Sequence, residues 1–180
     1  MSLTRHVEKL AKKLKIDEDV TDNSNKIMPK IIIGNYKSAK NREFFKKHNI
    51  KAVLNCTKDL PNSFQSHKAI EYLRIPIDDS LKDVDIKKMY DFLPVITQFI
   101  HKHAGIQKNA ILVHCVEGSQ RSVTAVVAYL MEMHKMHPLD ACEFVLKKRN
   151  KSFHHGYNVN FEKSITAYHK KLERERACKR

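Results

Sequence analysis

Residues 110 to 122 read A-I-L-V-H-C-V-E-G-S-Q-R-S, and the order of residue types in this stretch decides the architecture. Ala110 to Val113 form an apolar run suited to a buried strand, while S-V-T-A-V-V-A-Y-L-M from Ser122 to Met131 suits a buried helix. His114 and Cys115 therefore stand on a short turn between a strand end and a helix start. Successive backbone N–H groups can face inward in such a turn, and the helix N-terminus adds partial positive charge. The loop is suited to holding a dianion.

Residue types within the loop sharpen that expectation. Oriented amides and a nearby guanidinium favour a thiolate, the nucleophilic form of cysteine, at Cys115. Arg121 offers a planar fork of donors that matches two phosphate oxygens, as a lysine cannot. Gly118 brings no side chain into a turn where ligand and backbone come close. Ser122 places a hydroxyl near the sulfur, and Val116, Glu117, Gly118, Ser119, Gln120 and Arg121 supply the amides that would line the anion site. The bland alternative is a structural cysteine in a strand-to-helix turn.

The spacing His-Cys-x-x-Gly-x-x-Arg-Ser resembles that of the cysteine-dependent protein tyrosine phosphatase superfamily, and A-Y-L-M at 128 to 131 is similar to its dual-specificity branch. I-I-I-G-N-Y-K-S-A (31 to 39) followed by I-K-A-V-L-N-C-T (50 to 57) is similar to the first half of such phosphatases. The overall layout resembles small poxvirus-type members. This resemblance implies phosphoester hydrolysis through a phosphocysteine, with Cys115 as nucleophile, Arg121 as phosphate clamp and Ser122 easing departure of the thiolate. No cofactor and no metal are implied. It also implies a general acid three residues after the proline of an I-P-x-x-D segment, and I-P-I-D-D (75 to 79) puts Asp79 there with Asp78 as the rival. Spacing to Asp85-Ile86 is one residue longer than the usual pattern, which keeps Asp78 in play. His114, ending a buried strand, is expected to orient the loop rather than act as a base.

Along the chain, strands are expected at 30–33, 50–55 and 71–77 besides the one at 110–113. Helices are expected at 38–48, from Asp83 or Asp85 to His103, then at 122–131, from Pro138 to about Arg149, and from about Val159 through Leu172. Alternation of this kind predicts an α/β domain: a central, mostly parallel sheet of four to five strands flanked by helices, with its chemistry at the carboxyl ends of the strands. Leu3, Val7, Leu10 and Leu14 recur at helical spacing and predict an extra N-terminal amphipathic helix. The polar stretch D-E-D-V-T-D-N-S-N (17 to 25) reads as a linker. The expected division is helix and linker over 1–25, catalytic domain over 26–176 and a basic tail over 177–180. The apolar stripe must be buried on the chain's own core or on a partner, and the resemblance implies a homodimer through this helix.

The 180 residues suit one such domain, with 42% hydrophobic residues to fill its core. Four scattered cysteines have no metal-ligand spacing and predict reduced thiols, hence an intracellular protein, cytoplasmic and also compatible with the nucleus. No run approaches the eighteen or so apolar residues needed to span a bilayer. Lysine and arginine number 34 against 20 acids, a formal charge of +14 that suits phosphorylated proteins as substrates and makes RNA a second, less favoured partner. Three functions stay open at this point: protein phosphotyrosine and phosphoserine/phosphothreonine hydrolysis, which is favoured; RNA 5′-phosphatase chemistry; and a catalytically weak phosphoprotein-binding module. Glu117 inside the loop, where phosphoinositide-type relatives tend to carry lysine, disfavours a lipid substrate.

Overall fold

The computed structural model of the chain describes residues 2–16, 22–154 and 156–179. Of the linker read at 17–25, residues 17–21 lie outside the described residues, as do Met1, His155 and Arg180. Five strands, β1 (Ser24–Met28), β2 (Ile31–Gly34), β3 (Ile50–Asn55), β4 (Glu71–Arg74) and β5 (Ala110–His114), form one sheet in the order β1-β2-β5-β3-β4. All neighbours are parallel except β1, which runs antiparallel to β2. The last residues of the expected linker are thus an edge strand: Asn25 pairs with Ile33, and Ile27 is buried. β5 lies in the middle, and its end, His114, is level with Gly34 of β2 and Asn55 of β3. Three strand ends converge where Cys115 begins.

The helices are α1 (Leu3–Leu14), α2 (Tyr36–Ala39), α3 (Arg42–His48), α4 (Asp83–Ile100), α5 (Arg121–Met133), α6 (Pro138–Lys148) and α7 (Glu162–Ala177). The single helix expected over 38–48 is two, because Asn35 and Asn41 each accept backbone N–H groups from the turn that follows. α4 starts from Lys82 without a side-chain cap, so Asp83 and Asp85 occupy its first turn instead of capping it. Its end widens into a π-helical turn over His101–Ile106. A small apolar cluster under α2 and α3, including Ile32, Phe45, Val53 and Leu112, covers one sheet face. The larger core on the other face holds the remaining helices, with α5 buried along most of its length.

α1 belongs to that larger core. Ser2 accepts the N–H of Arg5, and Lys15 in the left-handed region ends the helix with bonds to the carbonyls of Ala11 and Lys12. Leu3, Val7, Leu10 and Ala11 are buried, and α1 packs on α6. Three of the four stripe residues from which a homodimer through α1 is expected thus pack within one chain. Leu14, the fourth, is 40% exposed. Among the described residues no helix is long and apolar enough to cross a membrane.

Candidate active site

Cys115 follows β5 directly, 1% exposed at the floor of a cavity of about 490 Å³ bordered by Asp79, Leu81, residues 116–121 apart from Gly118, His154, Asn158 and Asn160. Its sulfur accepts the Gly118 N–H at 3.2 Å and lies 3.4 Å from the Ser122 hydroxyl. The Ser122 hydroxyl is expected there from the sequence, whereas the bond from the Gly118 N–H is not.

What turns the loop into an anion cradle is the fate of its carbonyls. The Val116 carbonyl accepts from the Tyr36 N–H at 3.0 Å, and that of Ser119 accepts from the Phe153 N–H at 2.8 Å. Between them, Arg149 donates through Nε to the Gly118 carbonyl at 2.8 Å and through Nη2 to that of Glu117 at 3.4 Å. In a trans peptide the N–H points opposite to the C=O. Holding four successive carbonyls on the outside therefore aims the N–H groups of residues 117 to 120 at the centre. Gly118 makes the turn at φ +71°, and a Cβ there would lie 2.6 Å from the Gly34 carbonyl oxygen and 2.8 Å from Arg149 Nη2. No other residue fits.

Arg149 is fully buried and reaches the loop from the end of α6, its third arm bonded to Asn25 of β1. Burial lowers its pKa from 12.5 to about 10, with the nearby acids Asp22 and Glu117 opposing that shift, so it remains a cation at neutral pH. Most of the chain's basic excess, heaviest at K-K-R-N-K (147 to 151) and in the tail, is expected to be solvated surface, and Arg149 is an exception. A signal was available: Ala141, Cys142, Val145 and Leu146 mark the inward face of α6, and Arg149 continues it.

Arg121 opens α5 and donates through Nη1 to the Ile77 carbonyl at 2.9 Å, which sets the guanidinium across the cavity. Its Nε stands 3.9 Å from Asp79 Oδ2, and the other Asp79 oxygen accepts from Asn160 Nδ2 at 2.8 Å. Asp78 points elsewhere, 47% exposed and 3.7 Å from Lys58. Of the two rivals, only Asp79 borders the cavity. Gln120 turns away from the anion site, donating to the Asn158 carbonyl at 2.7 Å and accepting the Asn160 N–H at 3.2 Å. Glu117 faces outward toward Lys151 at 3.2 Å. Asn158 and Asn160 were not expected from the sequence: Asn158 ends the loop K-S-F-H-H-G-Y-N (151 to 158), and Asn160 falls in a helix expected from about Val159 that in fact begins at Glu162.

His114 is buried behind the loop, with Nδ1 3.4 Å from the Cys115 carbonyl, and burial pushes its pKa down to about 4. It is a neutral, orienting residue. Cys56, on the neighbouring strand end, gives its N–H to the His114 carbonyl at 2.8 Å, and burial raises its thiol well above the usual range.

Comparison with known proteins adds an independent line. Residues 31–171 match the family model for the dual specificity phosphatase catalytic domain. Human dual specificity protein phosphatase 7 is 33% identical over 152 residues, covering 84% of this chain and 34% of its own length. The Drosophila melanogaster phosphatase Mpk3 is 39% identical over 120 residues, covering 66% of this chain and 28% of its own. The chain thus spans about a third of the length of these curated relatives. Among solved structures, human serine/threonine/tyrosine-interacting protein, described as tyrosine phosphatase-like, superposes with a TM-score of 0.72 at 25% identity, covering 83% of this chain and 97% of that one. Human DUSP28 superposes with a TM-score of 0.70 at 19% identity over 86% and 97% of the two chains.

Proposed function

Because the chain belongs to the dual specificity phosphatase family, we propose that it is a metal-independent phosphatase acting on phosphotyrosine and on phosphoserine or phosphothreonine in proteins. One observation carries the proposal: a cysteine sulfur lies at the centre of inward-turned amides, with the Arg121 guanidinium across the cavity and the Asp79 carboxyl on its rim.

In this reading the Cys115 thiolate attacks phosphorus in line with the leaving oxygen. The loop amides and Arg121 hold the three equatorial oxygens as their charge spreads. Arg121 is already turned across the cavity by its bond to Ile77, so little reorganisation accompanies binding. Asp79 gives its proton to the departing ester oxygen as the P–O bond breaks, leaving phosphocysteine and a free alcohol or phenol. The Asp79 carboxylate then takes a proton from water as that water attacks phosphorus. Ser122 donates to the thiolate that leaves, and inorganic phosphate is released. Cys115 must stay reduced between turnovers, which favours a cytoplasmic or nuclear setting.

Two other readings have specific support. A formal charge of +14 favours RNA 5′-phosphatase activity. Likeness to a phosphatase-like interacting protein favours a phosphoprotein-binding module, against which stand the intact Cys115, Arg121 and Asp79. Phosphate release from phosphopeptides and from triphosphate RNA, measured for the full chain and for Cys115→Ser, separates all three. The proposal expects peptide turnover that the serine variant abolishes while still binding substrate. Retention of more than about 1% of activity in that variant would overturn the nucleophile assignment.

A further inference from the structure

Asp79 lies on a segment, 75–82, that no strand or helix holds. Such a carboxyl beside a guanidinium has an alternative to catalysis: it can swing onto Arg121 as a two-point ion pair, occupying the donors that a phosphate needs. The observed geometry prevents this. Asn160 holds Asp79 Oδ1 at 2.8 Å, and Oδ2 stays 3.9 Å from Arg121 Nε. The Asn160 amide is itself oriented, because its oxygen accepts from Asn158 Nδ2 at 2.9 Å and its nitrogen is left to face Asp79 Oδ1.

The stretch 158–162 that presents Asn160 is pinned from two sides. Gln120 of the anion loop bonds the Asn158 carbonyl and the Asn160 N–H. On the far side is the beginning of α1. Glu162 accepts the Leu3 N–H at 2.8 Å, the Thr4 N–H at 3.2 Å and the Thr4 hydroxyl at 2.8 Å, satisfying free donors of the first helical turn. Thr4 Oγ1 in turn accepts the Val159 N–H at 3.2 Å. Val159 and Phe161, flanking Asn160, are buried, so the backbone between them has little freedom to drift.

We propose that Asn160 is the positioning residue for the general acid, and that the start of α1 holds Asn160 in place through Thr4 and Glu162. The inference rests on Asp79 being the proton donor of the proposed reaction. It makes the amino-terminal helix a part of the catalytic apparatus although it contributes no group to the cavity. Deleting the helix would expose the core, so the test uses substitutions that leave its apolar face intact.

The decisive readout is leaving-group dependence, because a general acid matters for a poor leaving group and hardly at all for a good one. Turnover of phenyl phosphate and of 2,4-dinitrophenyl phosphate is compared in the full chain. Asn160→Ala should lower kcat/KM, which reports formation of the phosphocysteine, on phenyl phosphate by about tenfold and on the dinitrophenyl ester by less than about twofold, the loss expected from releasing one orienting bond. Thr4→Val should show the same pattern at about threefold. In an Asp79→Asn background, neither change should add a further loss. Equal losses on both esters, or none, would overturn the positioning role of Asn160, and an unaffected Thr4→Val would overturn that of the helix. If Asp79→Asn itself fails to discriminate the two esters, the reading of Asp79 falls and this inference with it. A discriminating Asp79→Asn beside an indifferent Asn160→Ala overturns the inference alone.

Discussion

Arg149 Nε stands 2.8 Å from the Gly118 carbonyl oxygen, on the side of the loop opposite the Cys115 sulfur. Two guanidiniums thus serve one anion site from opposite directions. Arg121 reaches across the cavity, whereas Arg149 works from behind by fixing the peptide planes that aim the amides.

Arg149→Lys tests that division. An ammonium is a point donor and cannot span the Glu117 and Gly118 carbonyls together. Each buried acceptor left unpaired costs about 1–3 kcal/mol, so the variant should melt at lower temperature and bind vanadate about tenfold more weakly. Wild-type vanadate inhibition in this variant would remove Arg149 from the anion site's support.

Gly118→Ala should be more severe for activity than its size suggests. The new methyl group meets the Gly34 carbonyl at 2.6 Å and forces the loop out of its positive φ. With one or more inward donors misaligned, kcat should fall by about 100-fold or more, as when an oxyanion donor is removed elsewhere. Steady-state kinetics alongside an unchanged circular dichroism spectrum would establish the effect as local.

Asp79→Asn should reduce kcat on phosphopeptides by about 100-fold, whereas Asp78→Asn, whose carboxylate faces Lys58 outside the cavity, should retain nearly all activity. Reversed effects would move the proton donor to Asp78 and require the 75–82 segment to rearrange on substrate binding.

His114 predicts a specific acid sensitivity of the fold. Its pKa is about 4 in the folded chain against an ordinary 6.5, so the unfolded chain binds the proton more readily. Stability is therefore full above about pH 6.5, declines as pH falls toward 4, and levels off below, a loss of at most roughly 3 kcal/mol from this residue. Urea midpoints measured from pH 7 to 4 should show the decline, and His114→Gln should flatten it.

Leu10→Asp should lower stability by about 3 kcal/mol without changing the sedimenting mass, since Leu10 is buried within its own chain. A halving of mass at unchanged melting temperature would instead restore the dimer.

Much of this arrangement is legible in the residues themselves. The apolar run ending at His114-Cys115 specifies a buried parallel strand, and the run after Arg121 a buried helix, because both are apolar on every side. Cys115, Arg121 and Ser122 are local to one loop, so their spacing alone brings them together. Asp79 needed a resemblance and Asp78 stayed in competition, because two adjacent carboxylates on an irregular segment leave no periodicity to separate them. Arg149 and Asn160 were missed for a different reason. Their partners are backbone groups and side chains 31 and 81 positions away, and no local pattern encodes such pairings. β1 was hidden by its composition, since S-N-K-I-M is polar enough for a linker and earns its strand geometry from the exposed edge of β2.

The four outward-held carbonyls carry one more consequence, for product release. A ring whose peptides are tied down from outside is rigid before anything enters it, and it meets a tetrahedral oxyanion with the same donors whether or not an ester chain is attached. Free phosphate should therefore compete directly with substrate, and vanadate should compete more strongly. If phosphoproteins are the substrates, as proposed, discrimination among them falls to the rim, where Leu81 and His154 border the cavity.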